Sequence, residues 1–336
     1  MVAQRVRPDI SGAGVGTDSP VVALVGAGAI ARLHANGWAE LGVPLRVYSP
    51  HSARGFAARH PGALAVGSLA EAIDGADIAD ICSPTDTHEE AVLAAISAGL
   101  DVICEKPLAR TTAQALGLQH AAKAAGRKLM PAHVVRWFWD YEAAHTSVSA
   151  GDLGELTHLR LTRIGPMPTP DWFHETDRSG GMVMDLMIHD MDQALWNAGP
   201  VAQVSGRLHP LNLDGSLIAE LTLAHVSGAT TSIEGTWGPP GTEFHTTFAL
   251  RGSEGVLDHN SRTHRQGRID ARDARKQVDR MPYVISTSPY HLMLADFLSW
   301  HHGGSAPPVT AADGVAAVHL AEAALQAVSS GEVITV

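Results

Sequence analysis

Val21-Val22-Ala23-Leu24-Val25-Gly26-Ala27-Gly28-Ala29-Ile30-Ala31 opens as a short apolar run rich in β-branched side chains. That is the pattern of a strand buried on both faces. The chain turns through Gly26 and Gly28 and continues helically as Ile30-Ala31-Arg32-Leu33-His34-Ala35. The spacing is G-x-G-x-x-A in a strand–turn–helix setting, the dinucleotide-binding fingerprint. Gly26 permits the tight turn. Gly28, without a Cβ, lets a pyrophosphate approach the backbone, and Ala31 allows close helix–strand packing. The helix N-terminus offers free N–H groups and positive dipole to phosphate. A second Gly-rich run, Ser11-Gly12-Ala13-Gly14-Val15-Gly16, has neither strand before it nor helix after it. It reads as part of a flexible tail over residues 1–19.

Strands and helices alternate downstream. Leu45–Tyr48, Ala63–Val66, Ile78–Ile81, Asp101–Cys104 and Lys128–Met130 read as strands separated by helical stretches. Alternation of this kind predicts a doubly wound parallel sheet, in the order 3-2-1-4-5-6 with the fingerprint strand central. Thr87-His88-Glu89-Glu90 and Thr111-Thr112-Ala113-Gln114 carry capping-box spacing at two helix starts. After about His133 the rhythm changes. A helix over Asp140–Ala150 is followed by segments of alternating polarity at Leu156–Ile164, Ala202–Leu208, Leu217–Ala224, Thr230–Trp237 and His245–Arg251. These predict a mostly antiparallel sheet with one face free. A Pro-rich loop, one continuous helix from about Met182 to Asn197, a charged excursion over 258–280 and two closing helices complete the pattern.

The fold class is therefore α/β. A Rossmann doubly wound parallel sheet occupies 20–131, and an α+β domain with a large, mostly antiparallel open sheet occupies 132–336, its last helix a candidate to pack back on the first domain. The length of 336 residues suits two domains. A net charge of −11 argues against nucleic acid or an anionic membrane as partner. No apolar run is long enough to span a bilayer, and no signal peptide is expected from the stretch around Arg5, Arg7 and Asp9. Cys82 and Cys104 alone can build neither a disulfide framework nor a zinc site, so a reducing cytoplasm is expected.

Two motifs carry chemistry. In Cys104-Glu105-Lys106-Pro107-Leu108 a lysine stands at the carboxyl end of a strand, where ligands of open α/β sheets bind. It reads as a group for cofactor ribose and substrate hydroxyl, or as a surface lysine in a turn. In Ser179–Asp192, Asp185 and His189 are four apart on the expected helix, and Asp192 lies three beyond His189. Their other neighbours are apolar, and buried polar groups are costly unless partnered. That pattern reads as a site, with a structural Asp–His hydrogen bond or an Asp/His/Asp metal set as alternatives. No metal is assigned, because no further ligand cluster accompanies the three.

Taken together, Gly26–Ala31, Ser83-Pro84-Thr85-Asp86-Thr87-His88, Glu105–Leu108, and Gly180-Gly181 followed by Asp185, His189 and Asp192 resemble the glucose–fructose oxidoreductase / inositol dehydrogenase (Gfo/Idh/MocA) family in order and spacing. The resemblance implies NAD(P)-dependent oxidation of a sugar or polyol hydroxyl, with Lys106, Asp185 and His189 lining the active site. It also implies a cis Lys106–Pro107 bond. Tyr290, seven residues before Phe297, and the loop Pro166–Arg178 with Trp172 and His174 would line or cover the substrate, and Arg136 joins that set. The cofactor-binding set is Gly26, Gly28, Ala29, Ile30, Ser49, His51, Arg54, Ser83, Pro84, Thr85, His88, Glu105, Lys106 and Pro107. No acid ends the second strand, where one would bind both ribose hydroxyls of NAD. Ser49, His51 and Arg54 can instead bind a 2′-phosphate, so NADP is favoured and NAD retained. His189 is expected as the base, with Lys106 as the alternative. A non-catalytic sugar- or nucleotide-binding relative of the same fold is the competing reading. A homodimer or homotetramer is expected, since an open antiparallel face leaves apolar area to bury.

Overall fold

The computed structural model describes residues 19–211, 216–263, 268–271 and 287–336. Residues 1–18 of the expected tail, and much of the expected charged excursion, lie outside them. The chain divides into two compact units, each described by itself below.

The first unit takes the described residues of 19–109, 113–137 and 287–314. Its elements begin with β1 (Val22–Val25), α1 (Ala29–Glu40), β2 (Leu45–Tyr48), α2 (Ala53–Ala57), β3 (Ala63–Ala65) and α3 (Leu69–Ile73). There follow β4 (Ile78–Ile81), α4 (His88–Ser97), β5 (Asp101–Glu105), α5 (Thr112–Ala125) and β6 (Leu129–Ala132). The six strands are parallel in the order β3-β2-β1-β4-β5-β6, as the sequence predicts. Every residue of β1 and β4 is buried, which is why β1 reads as a continuous apolar run. Helix α1 turns Ala31, His34, Ala35 and Trp38 inward, the stripe of a 3.6-residue period. The later helix Pro289–His301 packs on α1 at Gly37, where a Cβ would lie 2.8 Å from Leu294 Cδ1.

The expected capping box at Thr87 does not set the start of α4. A 3₁₀ turn, Thr85–Thr87, leads into α4, and the Thr87 hydroxyl donates back to the Pro84 carbonyl at 2.7 Å. At α5 the Gln114 amide donates to Glu89 on α4 at 2.8 Å.

The second unit takes the described residues of 110–112, 138–271 and 315–336. Its elements are α6 (Trp139–Ser149), β7 (Leu156–Pro166), α7 (Thr176–Ser179), α8 (Gly181–Asp185), α9 (Ile188–Ala198), β8 (Val201–Pro210), β9 (Leu217–His225) and β10 (Thr230–Gly238). Next come β11 (His245–Gly252), β12 (Gly255–Asn260) and β13 (Arg268–Ala271). The helix Pro289–His301 of the first unit is α10, and α11 (Ala311–Ser330) and β14 (Ile334–Thr335) end the chain. The eight strands run β13-β12-β11-β7-β10-β9-β8-β14, parallel between β7 and β10 and antiparallel elsewhere. One face buries Leu159, Leu161, Leu221, Leu223, Ile233 and Phe248, with α8 and α9 packed against β7, β9 and β10. Alternate positions Arg160, Thr162, Glu220, Thr222, Ser232 and Glu234 are half-buried or exposed. The face away from these helices carries these groups together with half-buried Ile164 and Ile218, which lie in register with Thr236.

The expected helix over Met182–Asn197 is broken. It forms as α8 and α9 with Leu186 and Met187 between them, and Met187 N–H reaches back to the Met182 carbonyl at 3.1 Å. Met187 packs on the backbone of Gly235 in β10, where a Cβ would lie 2.5 Å from Met187 Cγ. Asp185 and His189 therefore sit on successive helical pieces rather than on one uninterrupted face. Among the described residues, no helix is long and apolar enough to cross a membrane.

Candidate active site

At the carboxyl end of the parallel sheet the G-x-G-x-x-A stretch forms the turn its spacing predicts. Gly26 has φ +116°, and its N–H donates to the Tyr48 carbonyl at 2.8 Å. A Cβ there would lie 2.4 Å from the Cys82 carbonyl oxygen, so β4 as well as the backbone angle demands glycine. Gly28 is exposed, and a Cβ on it would meet nothing within 4 Å. That open space at the start of α1, beside first-turn N–H groups, fits a dinucleotide phosphate. Ala29 is exposed and Ile30 half-exposed beside it. Beyond β2, Ser49 is half-exposed and His51 and Arg54 are exposed.

Ser83 and Pro84 are half-exposed past the end of β4, and Thr85 is buried. His88 is buried too, its ring nitrogens 2.9 Å from the Ser83 carbonyl and 2.9 Å from the Pro107 carbonyl. Burial lowers its pKa, against the pull of those carbonyls. His88 therefore joins the loop after β4 to the loop after β5.

Lys106 follows β5 and is half-exposed, with a cis Lys106–Pro107 bond. Glu105 is buried, and its Oε2 accepts the Lys106 N–H at 3.0 Å. Its Oε1 lies 3.0 Å from His34 Nε2, and His34 Nδ1 lies 2.9 Å from Asp80 Oδ2. Asp80 also accepts from Trp38 Nε1 at 2.7 Å and from the Cys82 thiol at 3.4 Å. Burial alone would pull the His34 pKa down, but Asp80 and then Cys82 hold it well above the ordinary value. Burial and Asp80 push the Cys82 thiol far up. His34, Asp80 and Cys82 have donor atoms within 4.8 Å of one another. Those atoms already bond to each other, so the group is a closed hydrogen-bond cluster rather than a metal cradle.

In the second unit, Asp185 and His189 are half-buried, while Asp190 and Asp192 are buried. Arg163, on the covered face of β7, grips Asp190 with two bonds, Nε to Oδ2 at 2.8 Å and a second guanidinium nitrogen to Oδ1 at 3.0 Å. Burial raises the Asp190 pKa and Arg163 pulls it back; the bidentate geometry is that of an ion pair. This clamp fixes the first turn of α9, which carries His189. In the loop after β7, Trp172 lies against Phe173 with ring centroids 3.8 Å apart, and His174 is exposed. The Ser179 hydroxyl donates to the Phe173 carbonyl at 2.8 Å and anchors that loop.

Two residues of the expected substrate set have partners in the first unit. Arg136 is 2 % exposed, and its guanidinium donates to the Pro308 carbonyl at 2.7 Å and to Asp313 at 3.1 Å. A buried guanidinium engaged on a carbonyl and a carboxylate holds these segments of the first unit together. Tyr290, near the start of α10, is half-buried with its ring tilted against His34 at 5.7 Å.

Residues 21–133 match the model of the oxidoreductase family with an NAD-binding Rossmann fold, and residues 141–258 match the GFO/IDH/MocA C-terminal domain. The chain belongs to the GFO/IDH/MocA family. Inositol 2-dehydrogenase of Leifsonia xyli subsp. xyli is 34% identical over 152 residues, 44% of this chain and 43% of that protein. Levoglucosan dehydrogenase of Pseudarthrobacter phenanthrenivorans is 26% identical over 255 residues, 65% of this chain and 64% of that protein. Each match thus spans less than two thirds of the relative's length. The fold of a levoglucosan dehydrogenase in complex with NADH superposes with a TM-score of 0.82 at 22% identity, covering 95% of this chain and 99% of that one. In GFO/IDH/MocA terms, the first unit is an NAD-binding Rossmann fold and β4 and β5 present the loops at its ligand end.

The sequence reading passed over His34, Asp80, Arg163 and Asp190. Two of them carried a signal: Asp80 is a charged residue inside the apolar strand Ile78-Ala79-Asp80-Ile81, and Arg163 is in phase with Leu159 and Leu161 on the covered face of β7. A charge at an inward position calls for a buried partner.

Proposed function

We propose that this chain is an NAD(P)-dependent dehydrogenase that moves a hydride between a nicotinamide cofactor and a secondary hydroxyl of a sugar, an inositol or a related polyol. The observation that carries the reading is Lys106. It is a half-exposed amine at the carboxyl end of β5, its backbone held by a buried carboxylate, on the same sheet as the dinucleotide turn. The relatives named for inositol and levoglucosan supply the substrate class.

Oxidising an alcohol removes a hydride and a proton, and the nicotinamide, when bound, accepts the hydride. The chain must take the proton. His189 is the base, since an imidazole titrates near neutrality. Asp185 binds substrate hydroxyls and favours the imidazolium as it forms. The Lys106 amine holds the reacting hydroxyl and favours its developing alkoxide character. Trp172 and His174 contribute to substrate binding from the loop after β7.

NADP is the preferred cofactor in this reading. No acid stands at the end of β2 to repel a 2′-phosphate, and Ser49, His51 and Arg54 are accessible there. The working assembly is a homodimer or homotetramer, as in the family resemblance, and light scattering tests it. The function itself is tested by a panel of inositols, aldoses, sugar acids, glycosides and anhydrosugars with NAD and NADP. Turnover on at least one is expected. Tight binding of both cofactors with no turnover on any would make the chain a non-catalytic binder.

A further inference from the structure

We infer that His34, acting through Glu105, is a positioning residue for Lys106. The consequence for turnover rests on the dehydrogenase reading; the structural part does not.

Both ring nitrogens of His34 face carboxylates: Nδ1 lies 3.0 and 2.9 Å from the two Asp80 oxygens, and Nε2 lies 3.0 Å from Glu105 Oε1. A neutral imidazole has one N–H, so its other nitrogen would set a lone pair against a carboxylate oxygen. An imidazolium donates to both. The groups facing it are Asp80 and Cys82 from β4 and the residue after it, Glu105 from β5, and the Tyr290 ring from α10. His34, Asp80 and Glu105 are at most 5% exposed, so no solvent holds their geometry.

A buried carboxylate keeps one orientation only while its charge is matched. For Glu105 the match is His34, reached by Oε1. The other oxygen, Oε2, accepts the backbone N–H of Lys106. The cation on α1 therefore fixes the Glu105 carboxylate, and the carboxylate fixes the peptide from which the Lys106 amine projects. Reacting groups misplaced by about 1 Å lose on the order of 10²-fold in rate, so this support bears on chemistry. Removing it should loosen one peptide and slow turnover, beyond any effect on melting.

The test uses the full chain with His34→Gln, Glu105→Ala and Glu105→Gln. Hydrogen exchange at the Lys106 amide is followed by mass spectrometry without cofactor, and kcat and KM are measured on the best substrate of the panel. Glutamine at 105 can accept the Lys106 N–H through its oxygen and donate its NH₂ to a neutral His34, so it is the conservative rescue. In His34→Gln and Glu105→Ala the Lys106 amide should exchange on the order of tenfold faster. Their kcat should fall on the order of 10²-fold with much smaller changes in KM. Glu105→Gln should keep the Lys106 amide exchanging more slowly than Glu105→Ala does. Unchanged exchange in His34→Gln and Glu105→Ala would overturn the inference, as would Glu105→Gln exchanging as fast as Glu105→Ala. If His34→Gln does not fold, the Glu105 pair decides alone. If the wild type turns over nothing on the panel, the dehydrogenase reading fails, and the exchange data still decide the positioning claim.

Discussion

A Cβ placed on Gly26 would lie 2.4 Å from the carbonyl oxygen of Cys82, so the turn after β1 runs directly against the end of β4. Gly28, two residues on, has open space at the same position and φ −84°. The two glycines of the fingerprint thus answer to different constraints. Gly26→Ala should lower stability by about 1–3 kcal/mol from backbone strain alone and weaken NADH and NADPH binding with it. Gly28→Ala should leave the melting temperature near wild type and weaken cofactor binding only. Thermal melts paired with fluorescence titrations check the contrast; equal destabilisation by both would contradict it.

The Arg163–Asp190 pair predicts an asymmetry in the second unit. Arg163→Met leaves Asp190 buried without its counter-charge and should cost about 3–5 kcal/mol in urea unfolding. Replacing both, with Arg163→Met and Asp190→Leu, should recover most of that loss, since a well-packed apolar pair can match a buried ion pair. A double variant no better than the single would show that the clamp is not the main partner of Asp190.

Protonation of His34 sets a pH window. Its folded pKa is raised above the ordinary 6.5 despite burial, because Asp80 and then Cys82 favour the charged ring. The native state therefore holds a proton that the unfolded chain releases above 6.5, and stability falls as pH rises from there through the folded value. His88 and His225 are lowered by burial, so their linkage acts below 6.5 and with the opposite sign. Urea unfolding in steps upward from pH 6.5 should show a decline in the wild type that His34→Gln flattens. The same slope in both would place the proton elsewhere.

Cofactor choice is tested at the end of β2. Ser49→Asp puts a carboxylate where a 2′-phosphate would sit and should move the NADP-to-NAD ratio of kcat/KM toward NAD by about tenfold or more, the worth of one charge-assisted contact. A wild type that already prefers NAD strongly would sink the NADP assignment.

How much of this could be read beforehand follows from where each signal was stored. The parallel sheet was legible because β1 and β4 are buried on both faces, so their composition is their burial pattern. The alternation of β7, β9, β10 and β11 was legible for the complementary reason, one covered face and one polar face. The break at Leu186–Met187 was not legible. Its cause is the approach of Met187 to Gly235, some fifty residues away in the chain. The two-residue strand β14 is defined by pairing with β8 and has no period of its own. In the candidate site, Lys106, Asp185 and His189 stand in motifs, whereas His34 and Asp80 are polar groups inside apolar elements, where only long-range contacts reveal a partner.

The central claim is that His189 removes the hydroxyl proton and Lys106 holds the hydroxyl. Its most direct test is kcat for His189→Ala and Lys106→Ala on the same substrate, with NADPH affinity measured alongside. His189→Ala should lose on the order of 10²–10⁴-fold in kcat with cofactor affinity nearly unchanged, the worth of a positioned acid–base group. Lys106→Ala should lose turnover and weaken NADPH binding as well. Near-wild-type turnover by His189→Ala across the neutral pH range, with Lys106→Ala inert, would contradict the account and move the base to Lys106.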